Sequence, residues 1–177
     1  YYGNAADADG YKGSHKSLYP EGAKRMVSYI ESRGGKYDRV LWFGLQLLIK
    51  EHFSQQLTHT HVDNLIAFEK EYTVGGNVTK DLEIALRTVV DEYNGWYPIK
   101  IRSAKEGLII PVNNVLVSVE STVDDNRVFS LVSYFETKLL RVWSPTTVAT
   151  MSYNMRKVIK EGLKRTTPNW KEIIDFM

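Results

Sequence analysis

Apolar and polar positions recur with two different periods along this chain, and the switches between them divide it into elements. Residues 1–23 hold no sustained period and are rich in Gly, Asp, Ser and Tyr, so they are expected to be irregular, with one helical turn near Ser14 to Leu18. Residues 24–33 alternate as a strand does, Met26, Ser28, Ile30 and Ser32 on one side and Val27, Tyr29 and Glu31 on the other, until Gly34-Gly35. Leu41, Leu45, Leu48, Ile49 and His52 then fall at helical spacing and predict a helix over 40–53. A second helix is expected after Thr60, whose hydroxyl can cap it, with Asp63 in its first turn and a stop at Gly75-Gly76. A third is expected from Thr79, with Leu82, Leu86, Val89, Val90 and Tyr93 along one face, ending at Asn94-Gly95.

The middle of the chain returns to extended patterning. Pro98 to Ser103 alternates, Leu108 to Pro111 is a short apolar run, and Val115 to Thr122 follows an Asn113-Asn114 turn. Short strands between turn residues imply a small, partly antiparallel sheet. Phe129 to Trp143 is helical in spacing. Ser144-Pro145 reads as a capping hydroxyl with proline at the first helical position, opening a helix to about Lys164. Its apolar seam is Val148, Met151, Met155, Val158, Ile159 and Leu163, opposed by Arg156, Lys157, Lys160, Lys164 and Arg165. After the break at Thr166 to Asn169, the apolar residues of 172–177 read as a strand beginning. The class is α+β, a small sheet with packed helices, organised as an irregular segment 1–23, a domain over 24–166, and a linker with a first strand over 167–177.

Composition narrows the chemistry. The hydrophobic fraction of 43% and charged fraction of 25% are ordinary for a folded domain. A formal charge of +2 argues against nucleic acid or an anionic membrane as the main partner. The absence of cysteine excludes a disulfide framework, a thiolate nucleophile and Cys-based zinc sites within the sequence, and fits a reducing cytoplasm. No apolar stretch approaches the roughly 20 residues of a membrane span, and Tyr1 to Asp7 is not the start of a secretory signal.

His59 and His61 alternate, as two metal ligands on an extended segment would, yet no third ligand lies near, so no metal site is expected. His52 sits on the apolar side of its helix, as a boundary residue does. No phosphate-loop or dinucleotide glycine pattern occurs. Aromatic residues make up 12% of the chain, most of them expected in the core, and the basic stripe on the last long helix reads as a solvated face. From the residues alone the reading stops at an α+β domain.

Several blocks, in order along the chain, carry more. They are Asp9-Gly-Tyr-Lys-Gly-Ser-His-Lys-Ser-Leu-Tyr-Pro20, Ser28-Tyr-Ile-Glu-Ser-Arg33 and Phe43-Gly-Leu-Gln46. Pro98 through Glu106-Gly-Leu-Ile-Ile-Pro111 to Asn114–Thr122 follows, and then Glu136-Thr-Lys-Leu-Leu-Arg-Val-Trp-Ser-Pro-Thr-Thr-Val-Ala-Thr150. Together they resemble the N-terminal portion of the nicotinamide phosphoribosyltransferase family, in the form found in bacteria and their phages. The resemblance implies the N-terminal domain of a type II phosphoribosyltransferase whose α/β barrel lies outside this sequence. It implies synthesis of nicotinamide mononucleotide and pyrophosphate from nicotinamide and phosphoribosyl pyrophosphate in NAD salvage, with Mg2+ and ATP whose ligands lie mostly outside this chain. It also implies a cytoplasmic homodimer whose site is shared between subunits.

By the same resemblance, Tyr11 is the tyrosine that stacks on nicotinamide and Arg33 an arginine that reaches phosphate, both lent to the partner subunit's site. Phe176 matches the second aromatic wall, while Asp9 and Lys12 shape the surroundings of Tyr11, and His15 belongs to the same motif. No catalytic residue is expected in this chain. Where the family reads Asp-Phe-Gly, this sequence has Asp175-Phe176-Met177, and the arginine beyond is absent from it. The chain is therefore expected to be a fragment of a longer enzyme and inactive alone. A non-catalytic subunit that docks on a full-length enzyme is the alternative reading, and a nucleic-acid module is a third, disfavoured by the charge.

Overall fold

The computed structural model describes residues 8–72 and 80–176. A 3-10 helix, Gly10–Leu18, opens it, longer than the single turn expected over Ser14 to Leu18. The strand β1 (Val27–Glu31) is shorter than the alternating run, but its faces are as read: Ile30 and the following Ser32 are buried, and Val27 and Tyr29 are exposed. Arg39–Leu41 is strand β2, and the helix α1 covers only Leu45–Phe53. The helix expected over 40–53 is thus cut at its start. Val40 pairs with Ile110 of β4 (Ile109–Pro111), and the Leu41 amide donates to Thr150 Oγ1 at 2.9 Å, so tertiary partners take the backbone groups that a helix would have used.

Helix α2 (His59–Tyr72) begins earlier than expected. Thr58, not Thr60, supplies the capping oxygen, accepting from the His61 amide at 3.3 Å. The expected stop at Gly75-Gly76 and start at Thr79 lie outside the described residues. Helix α3 (Lys80–Glu92) ends where Asn94 and Gly95 take positive φ, 53° and 74°.

The extended runs divide between two sheets instead of forming one. β5 (Val115–Ser121) is the centre of a three-stranded antiparallel sheet, with β1 on one side (Ile30 opposite Val117) and β3 (Ile99–Ser103) on the other (Ile101 opposite Val119). β2 and β4 form a separate two-stranded ladder. The Asn113 turn is present, its φ at 62°.

Helix α4 (Leu131–Leu140) is the central pillar, buried on nearly all sides. Leu131, Tyr134 and Phe135 join α2 and α3 in one apolar cluster. Val132 and Leu139 join β1, β5, Trp42 and α1 in the other. Burying side chains of this size stabilises the fold by about 1.5–3 kcal/mol each.

Helix α5 (Trp143–Thr166) starts one residue before Ser144, and no side chain caps it, so Ser144 is not the capping hydroxyl. Its inner face is polar: Thr150 Oγ1 holds Leu41 and Thr146 Oγ1 donates to the Phe43 carbonyl at 2.9 Å. The seam residues Val148, Met151, Met155 and Val158 are consequently exposed, not core. The apolar run at the C-terminal end is a helix, α6 (Trp170–Phe176), and not a strand. Ile174 is its buried contact, and Lys160 and Lys164 of α5 lie over the Trp170 ring at 5.6 and 5.4 Å. Among the described residues no helix is long and apolar enough to cross a membrane.

Candidate functional site

The motif-bearing 3-10 helix lies against α4, and the contacts between them are polar. Asp9 Oδ2 accepts the Tyr11 hydroxyl at 3.1 Å and the Thr137 hydroxyl at 3.1 Å. Lys12 turns inward, its side chain 10% exposed, and donates to Ser133 Oγ at 3.2 Å and Glu136 Oε2 at 3.4 Å. Tyr11 is 58% exposed; its ring lies 5.0 Å from the His15 ring, centroid to centroid, and the Lys12 ammonium is 5.7 Å from its centroid. The bond to Asp9, with the charges of Asp9 and Glu136, holds the Tyr11 phenol above its ordinary range, so it is a neutral, hydrogen-bonded ring at physiological pH. An exposed neutral aromatic face fixed at its hydroxyl suits stacking on a flat heterocycle.

An open cleft of about 540 Å3 is lined by Tyr29, Glu31 and Arg33 from the β1 side and by Glu136, Leu140 and Trp143 from α4 and α5. Glu136 belongs to both places. The same Oε2 that meets Lys12 accepts the Ser28 hydroxyl of β1 at 3.3 Å. Arg33 follows β1 into a loop whose glycines, Gly34 and Gly35, have positive φ, 124° and 142°. Its guanidinium meets no carboxylate partner among the described residues, whereas Arg87, Arg102 and Arg127 each pair with acids. A free guanidinium in an open cleft is suited to bidentate anion contact.

Asp9, Tyr11 and Lys12 are held together on the 3-10 helix, and Glu136, which Lys12 meets, is also part of the lining of the Arg33 cleft. Like Asp9, Tyr11 and Lys12, Phe176 is not part of that lining, and on α6 it is 94% exposed. Sequence reasoning assigned no role to Ser28, Ser133, Glu136 or Thr137. Glu136 and Thr137 lay within a recognised block, but only the packing of α4 shows what they hold.

His59 and His61 lie in α2, where residues two apart do not face each other. His59 Nε2 instead meets Asp91 Oδ1 at 2.9 Å. Among the described residues no three His, Asp or Glu side chains gather to hold a metal ion. Glu31 and Glu136 are the acids of the cleft, and Glu136 is already engaged by Lys12 and Ser28. These residues alone do not fit a magnesium site.

Residues 4–101 match the family described as nicotinamide phosphoribosyltransferase, N-terminal domain. A nicotinamide phosphoribosyltransferase of Xanthomonas campestris pv. campestris (strain 8004) is 40% identical over 161 residues, which are 91% of this chain and 33% of that protein. The protein of the same name from Acinetobacter baylyi is 24% identical over 183 residues, 94% of this chain and 35% of that one. That of Mycoplasma genitalium is 23% identical over 181 residues, 92% of this chain and 40% of the relative. The chain thus spans between 33% and 40% of the length of these curated relatives.

Proposed function

The chain belongs to the nicotinamide phosphoribosyltransferase family, and from this we propose that it is the N-terminal domain of an enzyme that joins nicotinamide to phosphoribosyl pyrophosphate, giving nicotinamide mononucleotide and pyrophosphate for NAD salvage. The observation that supports the proposal is an exposed Tyr11 ring, anchored through Asp9 to α4, together with an open cleft whose Arg33 meets no carboxylate among the described residues. These are the two kinds of group the reaction needs from this region. A flat neutral pyridine takes an aromatic face. A pyrophosphate takes a guanidinium, whose charge also opposes the negative charge that grows as the ribosyl–pyrophosphate bond breaks.

In this reading Tyr11 stacks on nicotinamide, Arg33 reaches phosphate, and Asp9 fixes the Tyr11 hydroxyl. Phe176 supplies the second aromatic wall. A homodimer with a site shared between subunits, a cytoplasmic location, and the use of Mg2+ and ATP belong to the same proposal. The chain spans only 33% to 40% of the relatives' length, so the 177-residue chain by itself is expected to show no turnover.

The test is an assay of nicotinamide mononucleotide formation by the intact gene product. Tyr11→Ala is expected to raise the KM for nicotinamide about tenfold, the upper range for a lost aromatic contact of about 1.5 kcal/mol. Arg33→Ala should act on the KM for phosphoribosyl pyrophosphate instead. An intact protein that forms no mononucleotide would overturn the proposal. Turnover by the 177-residue chain alone would overturn its placement of the chemistry elsewhere.

A further inference from the structure

A 3-10 helix of nine residues has little stability of its own, because its hydrogen bonds are poorly aligned and long runs are uncommon. The position of Tyr11 therefore depends on what ties this helix to the rest of the domain. Residues of α4 and α3 do so: Thr137 donates to Asp9, Ser133 and Glu136 accept from Lys12, and Asp81 of α3 pairs with Lys16. Glu136 also links this cluster to β1, through the Ser28 hydroxyl, and is one of the residues that line the cleft with Arg33.

We propose that Glu136 is a positioning residue whose carboxylate, shared by Lys12 and Ser28, fixes the Tyr11 ring in register with the Arg33 guanidinium. The proposal rests on the functional reading above only for what Tyr11 and Arg33 bind. Its structural content stands on the contacts alone. A carboxylate accepts at both oxygens and donates at neither, so one oxygen takes an ammonium from the 3-10 helix and a hydroxyl from β1. The side chains of Lys12 and Glu136 are 10% and 32% exposed, and this shields the pair from solvent more than a surface ion pair. Gln at this position keeps one acceptor but presents an amide N–H2 and no charge. Ala removes both links and leaves the Lys12 ammonium with Ser133.

Two measurements test it. The first is amide hydrogen exchange on the 177-residue chain. Glu136→Ala is expected to speed exchange across Gly10–Leu18 by about tenfold, and Glu136→Gln by less, with the amides of β5 unchanged. Unchanged exchange in Gly10–Leu18, or equal acceleration in β5, overturns the proposal. The second is steady-state kinetics on the intact enzyme. Glu136→Gln is expected to raise the KM of both substrates about tenfold with kcat nearly unchanged. Lys12→Met combined with Glu136→Gln should cost less than the sum of the two, since both weaken the Lys12–Glu136 contact. A loss confined to kcat, or a shifted pH profile, would make Glu136 a participant in the chemistry and overturn the positioning role. If the wild-type intact protein makes no mononucleotide, the functional reading fails, and the exchange experiment alone decides whether Glu136 holds the 3-10 helix.

Discussion

Replacing Gly44 with alanine strikes the joint between α1 and α5, and its cost can be worked out from the backbone. Gly44 has φ of 102° and ψ of −2°, a conformation that L side chains rarely adopt. Strain of this kind costs about 1–3 kcal/mol. A Cβ there would also stand 2.7 Å from Pro145 Cβ, inside van der Waals contact. Overpacking of this kind adds about 1–3 kcal/mol. Relaxation is limited because the preceding residue is held at both ends: the Phe43 amide donates to Thr146 Oγ1 at 3.4 Å, and the Phe43 carbonyl accepts from it at 2.9 Å. The expected loss is about 3 kcal/mol, which lowers Tm by roughly 6–12 °C for a domain of this size. Gly34→Ala is the control, with φ of 124° but no atom within 4 Å of the added carbon, so it carries the strain without the contact. Urea unfolding of the two variants gives the difference. A Gly44→Ala cost below about 1 kcal/mol, or one equal to that of Gly34→Ala, would refute the contact with Pro145 as a constraint.

Two further outcomes follow from the polar contacts of the fold. Arg127, by its side chain and its amide, together with the Tyr93 hydroxyl, holds the Asp125 carboxyl below the usual carboxylate range. Its folded pKa lies below the unfolded one, so this stabilisation is present above about pH 4 and is lost as pH falls through the folded value. Between pH 6 and pH 3 the wild type should therefore lose more stability than Asp125→Asn, by at most about 1 kcal/mol from urea unfolding; parallel pH profiles would contradict this. Thr150→Val keeps the shape of the side chain but removes the acceptor of the Leu41 amide, 2.9 Å away, and the donor to the Thr146 carbonyl, 2.7 Å away. A loss of about 1–3 kcal/mol by calorimetry or urea unfolding is expected, since β2 is left with an unsatisfied amide.

The candidate site was legible in part. Asp9, Tyr11, Lys12 and Arg33 stand in short motifs, and motifs are local strings that a sequence displays directly. Their juxtaposition was not legible, because the bonds that assemble them join Lys12 to Glu136, Ser28 to Glu136 and Asp9 to Thr137, across more than 100 positions of sequence each. Phe176, suggested by a match over few residues, lies on an exposed helical turn.

Among the elements, those whose apolar period runs for several turns were determined by the sequence alone. Helix α3 and the central strand β5 fall where the pattern puts them, because each buries one stripe or both faces against whatever packs there. Only the tertiary structure decided the short or ambiguous ones. Val40 and Leu41 fit a helix, yet Ile110 and Thr150 claim their backbone and make a strand. Ile173 and Ile174 fit a strand, yet contact with α5 makes a helix. The α5 seam reads as core, but threonines on the opposite face hold the helix to β2 and turn the seam outward. A local pattern fixes a periodicity, whereas the partner that satisfies each backbone group and covers each apolar face is supplied by distant residues.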